Sequence, residues 1–270
     1  MATWDMMMRA LPGIGLIEPG DDLASSIATA AGADGLAFED DDVVAVASKI
    51  VSKAEGRIVA LADVHTSERA AKLAASTGRD ARVCQLYLEE SIAVLEVKGR
   101  HVVTVDRRGF WGTGAGVDMS NIGPRGDDRA ILLPEDPDAS ARRIRAGLAA
   151  LTGKTIAVII TDSFGSDVRD GAIGAAIGIA GIRHLEQPQG EVDLCGNPSR
   201  PMMNRVDEIS SAASILMGQT DAARAVVIVR GAGFTRDEDA RLSRLLIGPP
   251  LPATDYDLRS ENAESPGPQG

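Results

Sequence analysis

Three short aliphatic runs constrain this chain more than any other feature: Val43-Val44-Ala45-Val46-Ala47, Thr155–Thr161 and Ala225–Val229. Runs of this length with scarcely a polar side chain read as buried strands, too short for a core helix. The first is expected to continue as strand through Ile50. Aromatic residues are only 3% of the 270, so the core these strands build is aliphatic. At 44% hydrophobic, the chain supports one large domain or two small ones.

Between these runs lie helical patterns. Gly20-Asp21-Asp22 opens a helix with Asp21 or Asp22 as N-cap and Leu23, Ile27 and Ala30 on one face. Ser67–Ser76 reads as a short helix, and Asp80–Leu95 as a second, with Leu88, Ile92 and Leu95 at helical spacing. Asp136-Pro137 is a strong helix start, since Asp supplies a capping oxygen and Pro at the first position loses no needed donor. Val206–Met217 and Arg236–Leu246 complete the helices. Met6–Ala10 and His101–Val105 read as further strands, and Gly171–Gly181 is rich enough in Gly and Ala to allow close backbone packing. Helices and strands mix without strict alternation, so the expected class is α+β, mixed sheets with flanking helices. Residues 1–248 are expected to form the working domain, as one body or two intertwined subdomains. Residues 249–270, turning to Pro, Gly, Ser and acidic residues, read as a tail with a disordered end.

Several functions are disfavoured. A net charge of −11 argues against nucleic acid as a general partner. No apolar run approaches the ~20 residues of a membrane helix, and the N-terminus lacks the pattern of a secretory signal. Two cysteines, Cys84 and Cys195, are too few for a disulfide framework and fit free thiols in a reducing cytoplasm. There is no G-x-x-x-x-G-K-[ST], no H-E-x-x-H and no G-x-S-x-G, which sets aside P-loop NTPases, zinc hydrolases and serine hydrolases. The glycines from Gly109 to Gly116 do not have Rossmann spacing.

What remains is a set of polar segments after apolar ones. Ser48-Lys49-Ile50-Val51-Ser52-Lys53-Ala54-Glu55-Gly56-Arg57 offers hydroxyls and cations to an anion, most simply phosphate. Asp118 follows a Gly-rich stretch whose backbone can approach a ligand closely. Asp162 ends the second aliphatic run, where sheet proteins often place site residues. Two aspartates plus phosphate oxygens suit magnesium or manganese. The plain alternatives are two solvated lysines and two aspartates that cap turns. Phe110 and Trp111 can stack on a planar ligand or simply pack around a turn.

Six segments in order resemble the coenzyme F-420:L-glutamate ligase (gamma-glutamyl ligase) family. They are Gly20–Leu23, Ser48–Arg57, Gly114-Ala115-Gly116-Val117-Asp118-Met119-Ser120-Asn121, Leu132-Leu133-Pro134, Ile160-Thr161-Asp162-Ser163-Phe164-Gly165 and Ala176–Gly181. The stretch from Gly231 to Leu246 is similar to the actinobacterial branch, in its stand-alone form. The resemblance implies a gamma-glutamyl ligase fold in a two-lobed homodimer. It implies GTP-dependent addition of L-glutamate to the carboxylate of a deazaflavin precursor through an acyl phosphate, releasing GDP and phosphate. Magnesium or manganese, two ions, would assist, with potassium a further candidate. By motif, Ile14, Gly15, Leu16 and Ile17 would line the GTP site with Ser48, Lys49, Lys53 and Asn121. Asp118, Asp162, Ser163 and Gln219 would hold the metals, and Lys49, Lys53 and Asp118 would carry the catalysis.

The chain also departs from the family pattern. Ser163 stands where the family has Thr. Gly165–Gly171 lacks one basic and one aromatic residue of the family segment, and Leu194–Pro201 differs again. The acceptor segments are thus altered while the nucleotide segments are kept. A paralogous ligase joining a different acid and amine, or an idle nucleotide-binding protein, are the alternative readings.

Overall fold

Val43–Val46, Ala157–Ile160 and Val226–Val229 are wholly excluded from solvent. They lie side by side in the middle of one sheet, as their unbroken aliphatic composition requires. The computed structural model describes residues 5–123, 128–166, 169–187, 192–199, 201–219 and 221–242. These divide into two compact units: residues up to Ile58 together with those from Leu133 onward, and Val59–Leu132. The predicted tail at 249–270 lies outside the described residues.

The elements run β1 (Met7–Ala10), α1 (Leu23–Ala33), β2 (Val43–Ala47), α2 (Ser48–Ala54), β3 (Ile58–Ala60), α3 (Glu68–Thr77), α4 (Ala81–Glu89) and β4 (Ser91–Lys98). They continue with β5 (His101–Asp106), β6 (Trp111–Thr113), β7 (Arg129–Ile131), α5 (Pro137–Thr152), β8 (Ala157–Ser166) and β9 (Arg169–Ala180). Last come β10 (Leu185–Glu186), β11 (Met203–Asn204), α6 (Arg205–Met217) and β12 (Val226–Arg230). The class is mixed α+β.

The first unit is built on a five-stranded sheet in the order β1-β12-β2-β8-β9. Only β2 and β8 are parallel; the other neighbours are antiparallel. On one face Val43, Ala45, Ile159, Ile179 and Val227 join Val206, Ile209 and Ala213 of α6 in a single apolar cluster. α1 and α5 approach so closely that a Cβ on Gly147 would sit 2.5 Å from the Ala24 Cβ. The Gly and Ala content of β9 has the same origin. A Cβ on Gly178 would be 2.4 Å from the Pro137 carbonyl carbon, and one on Gly174 would be 2.5 Å from the Ser210 oxygen. Polar groups from both helices also bond the backbone of this outermost strand. Asp138 accepts from Ile179 N (2.8 Å), Asp207 accepts from Ala176 N (2.8 Å), and the Ser211 hydroxyl donates to Gly174 O (2.7 Å).

The second unit packs α3 and α4 on Leu61, Leu73, Val83, Leu86, Val94 and Val102, beside the antiparallel sheet β4-β5-β6. Its hairpin end holds a buried ionic group. Arg108 Nε donates to Asp106 Oδ2 (2.9 Å), and Arg108 Nη2 to Glu90 Oε2 (3.2 Å). A guanidinium pays its desolvation only when paired in this way.

The caps expected at Asp22 and Asp136 form, and Ser67, expected as the first helical residue, caps α3. Asp22 accepts from Ala24 N and Ser25 N, Ser67 from Ala70 N, Asp136 from Ala139 N. Four expectations are corrected. The first aliphatic strand stops at Ala47, and Ser48–Ala54 is a helix, because the parallel pairing ends at Ala47↔Thr161 and Ile50 and Val51 turn inward. Lys49 and Lys53 are therefore one helical turn apart. The predicted helix Asp80–Leu95 ends at Glu89; Ile92, Val94 and Val97 belong instead to β4, where pairing with β5 overrides the helical spacing. β8 does not end at Asp162 but runs on to Ser166, since Asp162–Gly165 pair with Ala172–Ala175 of β9. The expected helix Arg236–Leu246 is absent over 236–242, where the chain is extended with one turn. Ion pairs Arg236–Asp41 and Arg145–Glu238 fix that segment along the unit; residues 243–246 lie outside the described ones.

Candidate functional site

Strand direction brings the predicted residues of the first unit to one end of its sheet. β1 and β2 both run antiparallel to β12, and β8 runs parallel to β2. The carboxyl ends of β1 and β2 thus lie level with Thr161 of β8 and with the residues that enter β12. Leu11 N donates to Val226 O and Ala47 N to Ala225 O, both close to 2.9 Å, which ties these exits together.

Three chain segments leave this end. After β1, Ile14 and Ile17 are buried while Gly15 and Leu16 face solvent. Gly13 and Gly15 both take positive φ, 77° and 76°, a conformation costly for other residues. The loop thereby anchors itself by two side chains and offers the backbone around Gly15. It then meets the end of α2 through Gly20 N to Ala54 O (2.8 Å). After β2, Ser48 opens α2. Its buried hydroxyl donates to Asp162 Oδ1 at 2.9 Å. Lys49 and Lys53 follow on the same short helix, each half-buried. Before β12, Gln219 Oε1 accepts from the Ser163 hydroxyl at 2.9 Å. Ser48 with Asp162, and Ser163 with Gln219, are two direct contacts that the fold makes among the predicted residues of this unit.

Asp118 and Asn121 belong to the second unit. Asp118 is held at both backbone and side chain. Its N–H donates to Ile131 O (3.0 Å), and its carbonyl accepts from Ile131 N (2.8 Å). Its carboxylate accepts from Ser120 N (2.8 Å) and from the Ser120 hydroxyl (2.9 Å). The preceding turn is unusual: Gly114, Ala115 and Gly116 all have positive φ. Buried Thr104 stabilises it, accepting from Ala115 N (2.9 Å) and donating to Gly112 O (3.2 Å). The Tyr87 ring lies against Gly114, where an added Cβ would be 2.8 Å away. Burial pushes the Tyr87 hydroxyl upward in pKa, so it stays a neutral phenol. Phe110 is buried and packs, while Trp111 is half-exposed. Thr104 and Tyr87 carried no local sequence signal. Ser120 did, since Asp-x-Ser favours this turn.

The donors at the first unit's site are a carboxylate, a hydroxyl and a carboxamide oxygen, all hard ligands of the kind magnesium and manganese accept. Asp162 is the one carboxylate in that set. Among the described residues, no group of three or more His, Cys, Asp or Glu side chains could hold a metal by itself. A cation there would rely on neutral oxygens and on oxygens of a bound substrate. No described helix is long and apolar enough to cross a membrane.

A glycine loop, a lysine helix and a carboxylate thus meet at one end of the sheet, the arrangement of a candidate site for an anion. Comparison makes this specific. The model of the F420-0:Gamma-glutamyl ligase family matches residues 13–231, and the chain belongs to that family. It is 39% identical over 220 residues to the coenzyme F420:L-glutamate ligase of Methanothermobacter thermautotrophicus, covering 81% of this chain and 86% of that protein. The protein of the same name from Methanopyrus kandleri is 39% identical over 237 residues, 87% and 91% of the two chains. That from Archaeoglobus fulgidus is 40% identical over 221 residues, 81% and 85%.

Proposed function

We propose that the protein adds L-glutamate to the carboxylate of a deazaflavin (coenzyme F-420) precursor, with GTP as the activating substrate. The observation that carries this reading is the Ser48–Asp162 hydrogen bond at the end of the sheet from which the Gly13–Gly20 loop and the lysine helix also leave. Family membership supplies the reaction class.

A carboxylate is a poor acyl donor because its leaving group would be oxide. Transfer of the GTP γ-phosphoryl group to one carboxylate oxygen gives an acyl phosphate and GDP. The glutamate amine then attacks the acyl carbon, phosphate leaves with the bonding electrons, and the amine gives up a proton. In this scheme Lys49 and Lys53 bind the phosphate chain and offset charge on the transferring group, the main source of catalysis in phosphoryl transfer. The exposed backbone at Gly15 and Leu16 lies along the nucleotide. Asp162, Ser163 and Gln219 hold a divalent cation, magnesium or manganese. That ion supplies charge neutralisation and orientation of the phosphates. Ser48 keeps Asp162 in one rotamer. Asp118 and Asn121 enter the reading from their motif alone, Asp118 as a carboxylate ligand of the reaction and Asn121 as a nucleotide contact. A second divalent ion, potassium and a homodimer belong to the same proposal, as does a cytoplasmic setting.

A second reading has its own support. One basic and one aromatic residue of the family pattern are missing between Gly165 and Gly171, where Arg169 is kept. In the loop at 192–199 Asp193 accepts from Cys195 N and Asn197 N, each at 2.8 Å, with Leu194 fully exposed. Loss of an Arg weakens carboxylate recognition, so a different acid or amine would suit this chain. One experiment decides. The protein is incubated with GTP, manganese, L-glutamate and the deazaflavin precursor, and GDP and a glutamylated product are sought by mass spectrometry. Both products are expected. GDP with product only on another acid supports the second reading, and GTP binding without turnover overturns both.

A further inference from the structure

A cavity of about 560 Å³ opens in the first unit, lined by Asp5, Met6, Glu186, Arg205, Gly231 and Phe234 among others. It is remote from the site above. Met7 pairs with Arg230 and Val229 with Val43, whereas Ser48 and Asp162 follow the pair Ala47↔Thr161 at the other end of β2. Five strand residues separate the two ends, roughly 13–17 Å.

The cavity wall holds one donor without a hydrogen-bond partner, on an arginine otherwise flanked by two carboxylates. Arg205 Nη1 donates to Glu208 (2.7 Å), but Arg205 Nε is buried with no hydrogen-bond partner. The nearby Glu186 Oε2 stands 3.9 Å from it, beyond bonding distance, and Glu186 Oε1 is engaged by Thr235 N (2.5 Å). A buried donor left unpaired costs about 1–3 kcal/mol, more when charged. The Nε edge of a guanidinium is shaped for a carboxylate. The wall also carries two acids, Asp5 and Glu186, against this one base. A plain anion would meet repulsion there, while a ligand carrying its own ammonium would not. Met6 and Phe234 supply an apolar side. Gly231, at φ 80°, brings its backbone so near Asp5 that a Cβ would lie 2.4 Å from the Asp5 oxygen.

We propose that this cavity binds a free α-amino acid with an apolar side chain. Its carboxylate pairs with Arg205, its ammonium with Asp5 and Glu186, and its side chain packs on Met6 and Phe234. The proposal does not depend on the ligase reading, since it uses none of the same residues.

The test is calorimetric titration of the full chain with L-leucine, L-methionine and L-phenylalanine, with acetate and butylamine as half-ligand controls. At least one amino acid is expected to bind saturably in the millimolar range or tighter, and neither control is. Arg205→Gln should weaken binding about tenfold or more, equivalent to about 1.4 kcal/mol. Phe234→Ala, which keeps the charges, should erase the preference among the three side chains, and it serves alone if Arg205→Gln does not fold by circular dichroism. Asp162→Ala should leave this binding unchanged. Binding by none of the three, equal binding of acetate, or affinity insensitive to both cavity variants would overturn the proposal.

Discussion

Replacing Gly178 by alanine puts a methyl carbon where the first turn of α5 already stands. The added carbon would meet the Pro137 carbonyl carbon at 2.4 Å and the Pro137 Cβ and oxygen at 2.5 Å. Ordinary contact needs about 1 Å more, and none of these atoms belongs to a flexible side chain, so the helix or the strand must move. Overpacking of this kind costs about 1–3 kcal/mol. A shift of that size also breaks the 2.8 Å bond from Ile179 N to Asp138, in the same helical turn. A hydrogen bond to a charged acceptor is worth about 1.5–3 kcal/mol. The expected loss is therefore about 2.5–6 kcal/mol. With a urea slope of about 2 kcal/mol/M, the midpoint should fall by roughly 1.3–3 M. Gly32→Ala is the control. Gly32 lies in α1 with nothing within 4 Å of a new Cβ, so the same chemical change should raise stability by up to about 1 kcal/mol. Urea denaturation followed by circular dichroism measures both. A loss under about 1 kcal/mol for Gly178→Ala, or the same sign for both variants, would refute the argument from close backbone approach.

Other outcomes follow from the same structure. Arg230→Met leaves the fully buried Asp42 without the bidentate partner that now donates at 2.7 and 2.8 Å, and should cost about 3–5 kcal/mol in denaturant melts. Thr104→Val strips Ala115 N of its acceptor and should cost about 1–3 kcal/mol, with faster amide exchange at Ala115. Burial raises the Asp207 carboxyl above its usual value of 3.8. The folded chain thus holds this proton more tightly than the unfolded one, so stability from this group is present at low pH and lost as pH rises past 3.8 through the folded value. Asp207→Asn, whose amide oxygen still accepts from Ala176 N, should remove that part of the decline when variant and parent are compared across this window. Asp162→Ala should abolish GDP formation in the ligase assay; undiminished turnover would remove Asp162 from the site.

The parts legible in the sequence were those decided locally. Asp22, Ser67 and Asp136 cap helices because each needs only the next three residues. The aliphatic runs became central strands because no other place in a fold hides so many branched side chains. Elsewhere local pattern was overruled. Leu88, Ile92 and Leu95 have helical spacing, yet Ile92 and Leu95 lie in β4, because β5 offers a partner that a helix would waste. Ser48 looked like the tail of a strand, and only the end of its pairing with β8 shows why the chain coils there. The contacts at the candidate site are the least readable of all. Ser48 and Asp162 are 114 residues apart, and Ser163 and Gln219 are 56 apart. The motifs named these residues, but only the order of strands in the sheet explains why two pairs of them touch.

The outermost strand of the large sheet has one more consequence. Three of its backbone groups, Gly174 O, Ala176 N and Ile179 N, are already taken by Ser211, Asp207 and Asp138. A foreign strand arriving at this margin would have to displace two carboxylates, each anchored in a helix. Lengthening the sheet along this stretch would first cost those bonds. In the folded chain the two helices thus do for this edge what charged side chains or a covering loop do elsewhere.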